Sequence, residues 1–158
     1  MGLFSFLKNA GAKLFKKKVA EAKTEKEVQE IKAANSDALK NAVLALGIAV
    51  KDFHVDIDGG QVTAFGEVDS QANREKVVLT LGNVEDVECV DDRMTVVVPE
   101  PESDFYEVKK GDNLSKIAKQ FYGNANKYPV IFEANKPMLK DPDLIYPGQM
   151  LRIPKLDK

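Results

Sequence analysis

The sequence predicts an α+β protein of two small domains, an αββαβ unit over residues 36–98 and a βααβ unit over residues 105–155, preceded by a helical arm over residues 1–35. Three observations carry this reading. Phe53, Val55 and Ile57 alternate with His54, Asp56 and Asp58 just ahead of Gly59-Gly60, which is the pattern of a half-buried strand entering a tight hairpin. Leu114, Ile117, Ala118 and Phe121 recur at helical spacing between two short alternating segments. Between the two patterns stands Pro99-Glu100-Pro101-Glu102-Ser103, a stiff and solvated join that assigns residues 99–104 to a linker.

Each element has a local reason. In the arm, Leu3, Phe4, Phe6, Leu7, Leu14 and Phe15 are interspersed with Lys8, Lys13 and Lys16-Lys17-Lys18. An amphipathic helix there could pack on the following sheet or lie on an anionic bilayer. Residues 36–48 read as a helix with Leu39, Val43 and Leu46 on its buried side. After the hairpin, residues 61–68 return as the partner strand, because tight turns that match strand twist need positive φ. Ser70 caps a helix bearing Ala72, Val77, Val78 and Leu81, which Gly82-Asn83 ends. Residues 84–90 then lead to a last strand, residues 93–98. In the second unit Asp112 is the expected N-cap of the first helix, with Gly111 before it. Pro129 suits the first turn of a second helix carrying Ile131, Phe132 and Ala134. Tyr146-Pro147-Gly148-Gln149 turns the chain into a strand, residues 150–153, that pairs with residues 105–108. At 158 residues, with 44% hydrophobic content, the chain can bury one modest core per unit.

Two stretches resemble known families. Y-E-V-K-K-G-D-N-L-S-K-I-A, then I-F-E-A-N-K-P, then Y-P-G-Q-M-L-R-I-P follow the LysM pattern over about fifty residues, departing from it notably in placing Asn113 where Thr is usual. The αββαβ unit, with its V-x-I-x-x-G-x-V-T hairpin and the G-x-V-x-x-V turn after its second helix, is similar to a BON domain. The opening Met1-Gly2-Leu3-Phe4, Phe6, Lys8, Ala10-Gly11 and Lys13-Leu14 extends the resemblance to nearly the whole chain. It is to small bacterial cytoplasmic proteins that join an N-terminal BON domain to a C-terminal LysM domain and bind potassium. The resemblance implies K+ as ligand and a sensor or buffer that changes conformation or domain docking with occupancy.

Given K+, the chemistry narrows where to look. The ion is large and weakly hydrated, and neutral main-chain carbonyls are the protein's best substitute for its water shell. Carboxylate clusters suit Ca2+ or Mg2+ instead. Carbonyls without partners occur at helix C-termini and glycine turns. Two such places are the Asn9-Ala10-Gly11 break and residues 82–87, and the first could fold over the second. The expected ligands are the carbonyls of Leu7, Ala10, Val84 and Val87. Residues 36–98 carry a net charge of −7, against +4 for residues 1–35 and +1 for residues 99–158. That acidic unit would concentrate cations within the screening length, or would simply dock the basic arm.

The rival reading is an adaptor for a glycan or a membrane surface. LysM members bind N-acetylglucosamine polymers, and Gly111, Asp112, Asn113 and Leu114, with Leu144 and Ile145 opposite, match the positions that form their sugar groove. The chain has no Trp, so the stacking platform would be poor. Other chemistry is excluded more readily. His54 is the single histidine and sits on the polar face of its strand, and Cys89 has no cationic neighbour to activate it. Asp56-Ile57-Asp58-Gly59-Gly60 resembles part of a calcium loop, but Glu67 falls within the return strand rather than a helix. No phosphate-binding glycine motif is present, and the lysine run lacks interleaved aromatics for nucleic acid. No enzyme is expected. Neither a signal-peptide run nor a myristoylation pattern is found, so a monomeric cytoplasmic protein is expected.

Overall fold

The computed structural model describes residues 2–6, 11, 23–58, 60–100, 103–136 and 138–155. The chain is α+β, as its patterning predicts. Strand β1 (Gly2–Ser5) is followed by helix α1 (Glu25–Leu44), strands β2 (Val50–Asp58) and β3 (Gln61–Ser70), helix α2 (Gln71–Gly82), and strands β4 (Cys89–Asp92) and β5 (Thr95–Val98). The second unit consists of β6 (Asp104–Glu107), α3 (Leu114–Tyr122), α4 (Tyr128–Ala134) and β7 (Met150–Ile153).

The first sheet has the order β1-β4-β3-β2, with β5 also alongside β3. The β2/β3 hairpin closes with Asp58 opposite Gln61, the pairing expected for a two-residue connection. Helix α2 then carries the chain back so that β4 and β5 run parallel to β3. The predicted last strand, residues 93–98, is found as β5, and residues 89–92, expected only to lead into it, form a further strand β4; the two keep one register, Ala64 facing Asp92 and Glu67 facing Thr95. The interruption has a side-chain cause. The Asp92 carboxylate accepts the Met94 amide at 3.0 Å and Arg74 Nε at 2.6 Å, drawing the main chain out of the ladder.

Two further expectations are corrected. The first helix begins at Glu25 rather than Ser36, because Thr24 caps it: Thr24 Oγ1 accepts the Glu27 amide at 3.1 Å, and the Glu27 carboxylate accepts the Lys23 amide at 2.9 Å. Ile31, Asn35, Leu39 and Val43 then fall on one buried stripe. Residues 2–5 of the arm are a strand, not a helix, pairing antiparallel with β4 from Gly2 opposite Asp92 to Ser5 opposite Cys89. The edge of β4 gives four residues a ladder that an isolated short helix would lack.

Among the described residues there are two cores. Leu39, Val43, Val55, Val62, Val68, Leu79, Leu81, Val90 and Met94 fill the first, with Phe6 packed among them. Val108, Leu114, Ile117, Ala118, Ile131, Leu151 and Ile153 fill the second. Phe105, Met138 and Met150 from the second unit also lie on the first core, so the two units are docked through apolar surface.

Candidate ion site and the domain interface

Helix α2 ends where its apolar face runs into a turn. Asn83 is the C-cap, its amide returning to Leu79 O at 2.9 Å. The next four residues form a turn closed by the Val87 amide on Val84 O at 3.1 Å, with Asp86 at φ 77. Val84 and Val87 are both buried, so their side chains anchor the turn in the core. Among the described residues that bond takes one of the two lone pairs of Val84 O. Two of the four predicted carbonyls, Val84 and Val87, therefore lie on one anchored turn that carries Glu85, Asp86 and Glu88. Leu7 and Ala10 lie outside the described residues.

The N-terminal segment grips this turn from both sides. The Phe6 amide donates to Glu88 O at 2.8 Å. Its ring lies flat on Gly82, where a Cβ would come within 2.0 Å of Cζ. Gly11, at φ +107, sits on the Asn83–Val84 peptide so closely that a Cβ there would fall 2.3 Å from Asn83 O and 2.8 Å from the Val84 nitrogen. Both glycines are required, the first by close approach and the second also by its backbone angle. Phe6 and Gly11, the described residues on either side of 7–10, both meet this region. Among the described residues no three His, Cys, Asp or Glu side chains gather where they could hold a metal ion.

Asn83 also reaches the second unit. Its Nδ2 donates to Met150 O at 2.8 Å and its Oδ1 accepts the Met150 amide at 2.9 Å. Two turns earlier on α2, Glu75 meets Arg152 on the same strand. Arg152 Nε donates to Glu75 Oε1 at 3.0 Å, and both residues are buried, at 4% and 8% exposure. Arg152 donates further to Ala134 O and Ser103 Oγ, while the Ser103 amide donates to Glu75 Oε2 at 2.8 Å. Ser103, expected in a solvated linker, is thus part of the interface. The Phe4 and Phe105 rings meet at 5.0 Å between centroids. Beside the Asn83 clamp a cleft of about 510 Å³ opens, lined by Gly11, Asn83 and Val84 on one side and Leu139, Leu144 and Tyr146 on the other.

The predicted sugar-groove residues are largely committed to structure. Asp112 is not the N-cap of α3. Its carboxylate accepts Tyr106 Oη at 2.6 Å and the Lys109 amide at 2.9 Å, so the cap passes to Asn113, whose Oδ1 accepts the Lys116 amide at 2.8 Å. The Tyr106 bond, then the Lys109 amide, hold the Asp112 carboxyl below its ordinary range, and the same bond pushes the Tyr106 phenol up to about 12. Leu114 is buried, Ile145 packs on the second core, and Gly111 has open space around its Cα. Leu144 is 65% exposed. His54 is exposed and bonded to Asp56, and burial followed by the Glu88 and Asp91 charges pushes the Cys89 thiol up. No helix among the described residues is long and apolar enough to cross a membrane.

Comparison with known proteins bears on both units. Residues 106–154 match the LysM domain family. Potassium binding protein Kbp of Escherichia coli O6:H1 is 45% identical over 156 residues, which is 98% of this chain and 99% of that protein. An uncharacterized protein of Deinococcus radiodurans is 53% identical over 49 residues, 31% of this chain and 19% of that protein.

Proposed function

This chain belongs to the family of the potassium binding protein Kbp, and from that premise we propose that it binds K+ where its N-terminal segment crosses the turn after α2. The observation that carries the proposal is the seating of Gly11 on the Asn83–Val84 peptide with Phe6 on Gly82 and Glu88. It brings the two residues that flank 7–10 to the turn that bears Val84 and Val87, which supports the reading. The carbonyls of Leu7, Ala10, Val84 and Val87 would hold the ion, replacing its water with neutral oxygens. In this reading residues 36–98 are a BON domain whose first helix reaches back to Glu25, residues 105–155 a LysM domain, residues 99–104 their link, and the part of residues 1–35 that precedes α1 the arm that closes the site. Binding would order arm against turn, so that K+ shifts a population and the protein acts as a sensor or buffer. We place it in the cytoplasm as a monomer; the free thiol of Cys89 is compatible with that compartment.

Titration calorimetry on the full chain tests this. K+ and the similarly sized Rb+ should give saturable heats, while Na+ binds more weakly and Mg2+ has little effect. Equal heats for K+ and Na+ would defeat the carbonyl cage. The LysM match supports a second reading, in which the loops holding Gly111, Asp112, Asn113, Leu114, Leu144 and Ile145 take an N-acetylglucosamine oligomer. Chitooligosaccharide titrated into the same sample separates the two, since a glycan site would respond whether or not K+ is present.

A further inference from the structure

We propose that Asn83 is the positioning residue through which K+ occupancy and docking of the C-terminal unit control each other. The inference rests on the K+ reading above and deepens it. One residue touches both partners. Its main-chain carbonyl lies under Gly11, and its peptide bond leads directly into the turn that bears Val84 and Val87. Its side chain spends donor and acceptor together on the two main-chain groups of Met150, the first residue of β7. That fork mimics a neighbouring strand and fits Asn in particular. Asp keeps the acceptor but loses the donor, and Gln places the same fork one methylene further out.

The contact is one end of a two-point grip. Met150 and Arg152 are alternate residues of β7, read by Asn83 and Glu75 on α2. If the ion fixes the main chain at residues 83–87, it also fixes the direction in which the Asn83 amide points. Docking of β7 on that amide must then favour the same backbone setting. Coupling of this kind is reciprocal, so loosening β7 from α2 should weaken K+ binding even when the substituted side chain touches no part of the turn.

Calorimetric K+ affinities of full-length wild type, Asn83→Ala, Asn83→Asp, Arg152→Met and the Asn83→Ala/Arg152→Met double variant test the proposal, with melting curves confirming that each is folded. Typical coupling between sites corresponds to about 5- to 150-fold in affinity. Asn83→Ala and Asn83→Asp should each weaken K+ by about fivefold or more. Arg152→Met should weaken it too, and adding Asn83→Ala to that variant should cost clearly less than it does alone. In X-ray scattering, K+ should reduce the radius of gyration of wild type but not of Asn83→Ala. Should Asn83→Ala not fold, Asn83→Asp carries the same comparison. Wild-type affinity in both Asn83 variants would overturn the proposal. So would a loss of equal size in the Arg152→Met background, which would confine Asn83 to its role as helix cap. Absence of a K+ heat in wild type would bring down the K+ reading itself, and this inference with it.

Discussion

Substituting Gly82→Ala places a methyl group where the Phe6 ring now lies. An ideal Cβ on Gly82 falls 2.0 Å from Phe6 Cζ, 2.2 Å from Cε2 and 2.3 Å from Cε1. The ring is buried and its own amide is held on Glu88 O, so it cannot slide aside without leaving the core or breaking that bond. Overpacking of this kind costs about 1–3 kcal/mol, and expelling a Phe from burial costs about 1.5–3 kcal/mol. Helix propensity returns at most about 1 kcal/mol, less at the last residue of α2. A net loss of about 1–2 kcal/mol is expected, read as a lower urea midpoint at unchanged slope. The decisive arm is the same substitution in a Phe6→Ala background. There the methyl enters vacated space, so Gly82→Ala should become neutral or mildly stabilising. A neutral effect in wild type, or an equal loss in both backgrounds, would refute the packing of the N-terminal segment on α2, and with it the closure of the site.

The other predictions concern the remaining contacts. Removing Glu75 leaves Arg152 buried without its carboxylate. Glu75→Ala should cost about 3 kcal/mol, toward the lower end for a broken buried pair because Arg152 keeps Ala134 O and Ser103, and K+-free thermal unfolding measures it. The Tyr106 phenol, pushed up by Asp112 to about 12, stabilises the fold fully below the ordinary phenol pKa, and that contribution is lost as pH rises through about 12. Asp112, held low by the same bond, contributes above the ordinary carboxylate pKa and loses the contribution as pH falls through its depressed value. Phenolate absorbance should show a step near pH 12 that Asp112→Asn moves down. Thr24→Ala should cost about 0.5–2 kcal/mol and fray the start of α1, seen as lost helical circular dichroism.

What could be read from the sequence follows from how local its causes are. The Ser70 cap, the glycine hairpin and the Pro129 helix start are set by neighbours within a few residues, and all were legible. The start of α1 was missed: its signal, Thr24-Glu25-Lys26-Glu27, is a local capping-box pattern that the lysine-rich stretch before it hid. Strand β1 was not: four residues are too few to separate a period of two from one of 3.6, and only the edge of β4 decides. The docking residues carry no local signal at all. Arg152 reads as a surface cation until Glu75, 77 residues away, is seen beside it. Asn83 reads only as a helix stop. A carbonyl cage is the extreme case, since its ligands are main-chain atoms that every residue has; the turn could be guessed from Gly82 and the valines, but its partner segment only from Gly11.

The most direct measurement is of the main-chain carbonyls themselves. In the isotopically labelled full chain, replacing NaCl by KCl at constant ionic strength should shift the carbonyl 13C resonances of Leu7, Ala10, Val84 and Val87 more than any others. All four should saturate at one K+ midpoint, the one calorimetry gives. Unmoved resonances at Val84 and Val87, the same shifts in Na+, or larger shifts at acidic side chains would contradict a main-chain potassium site.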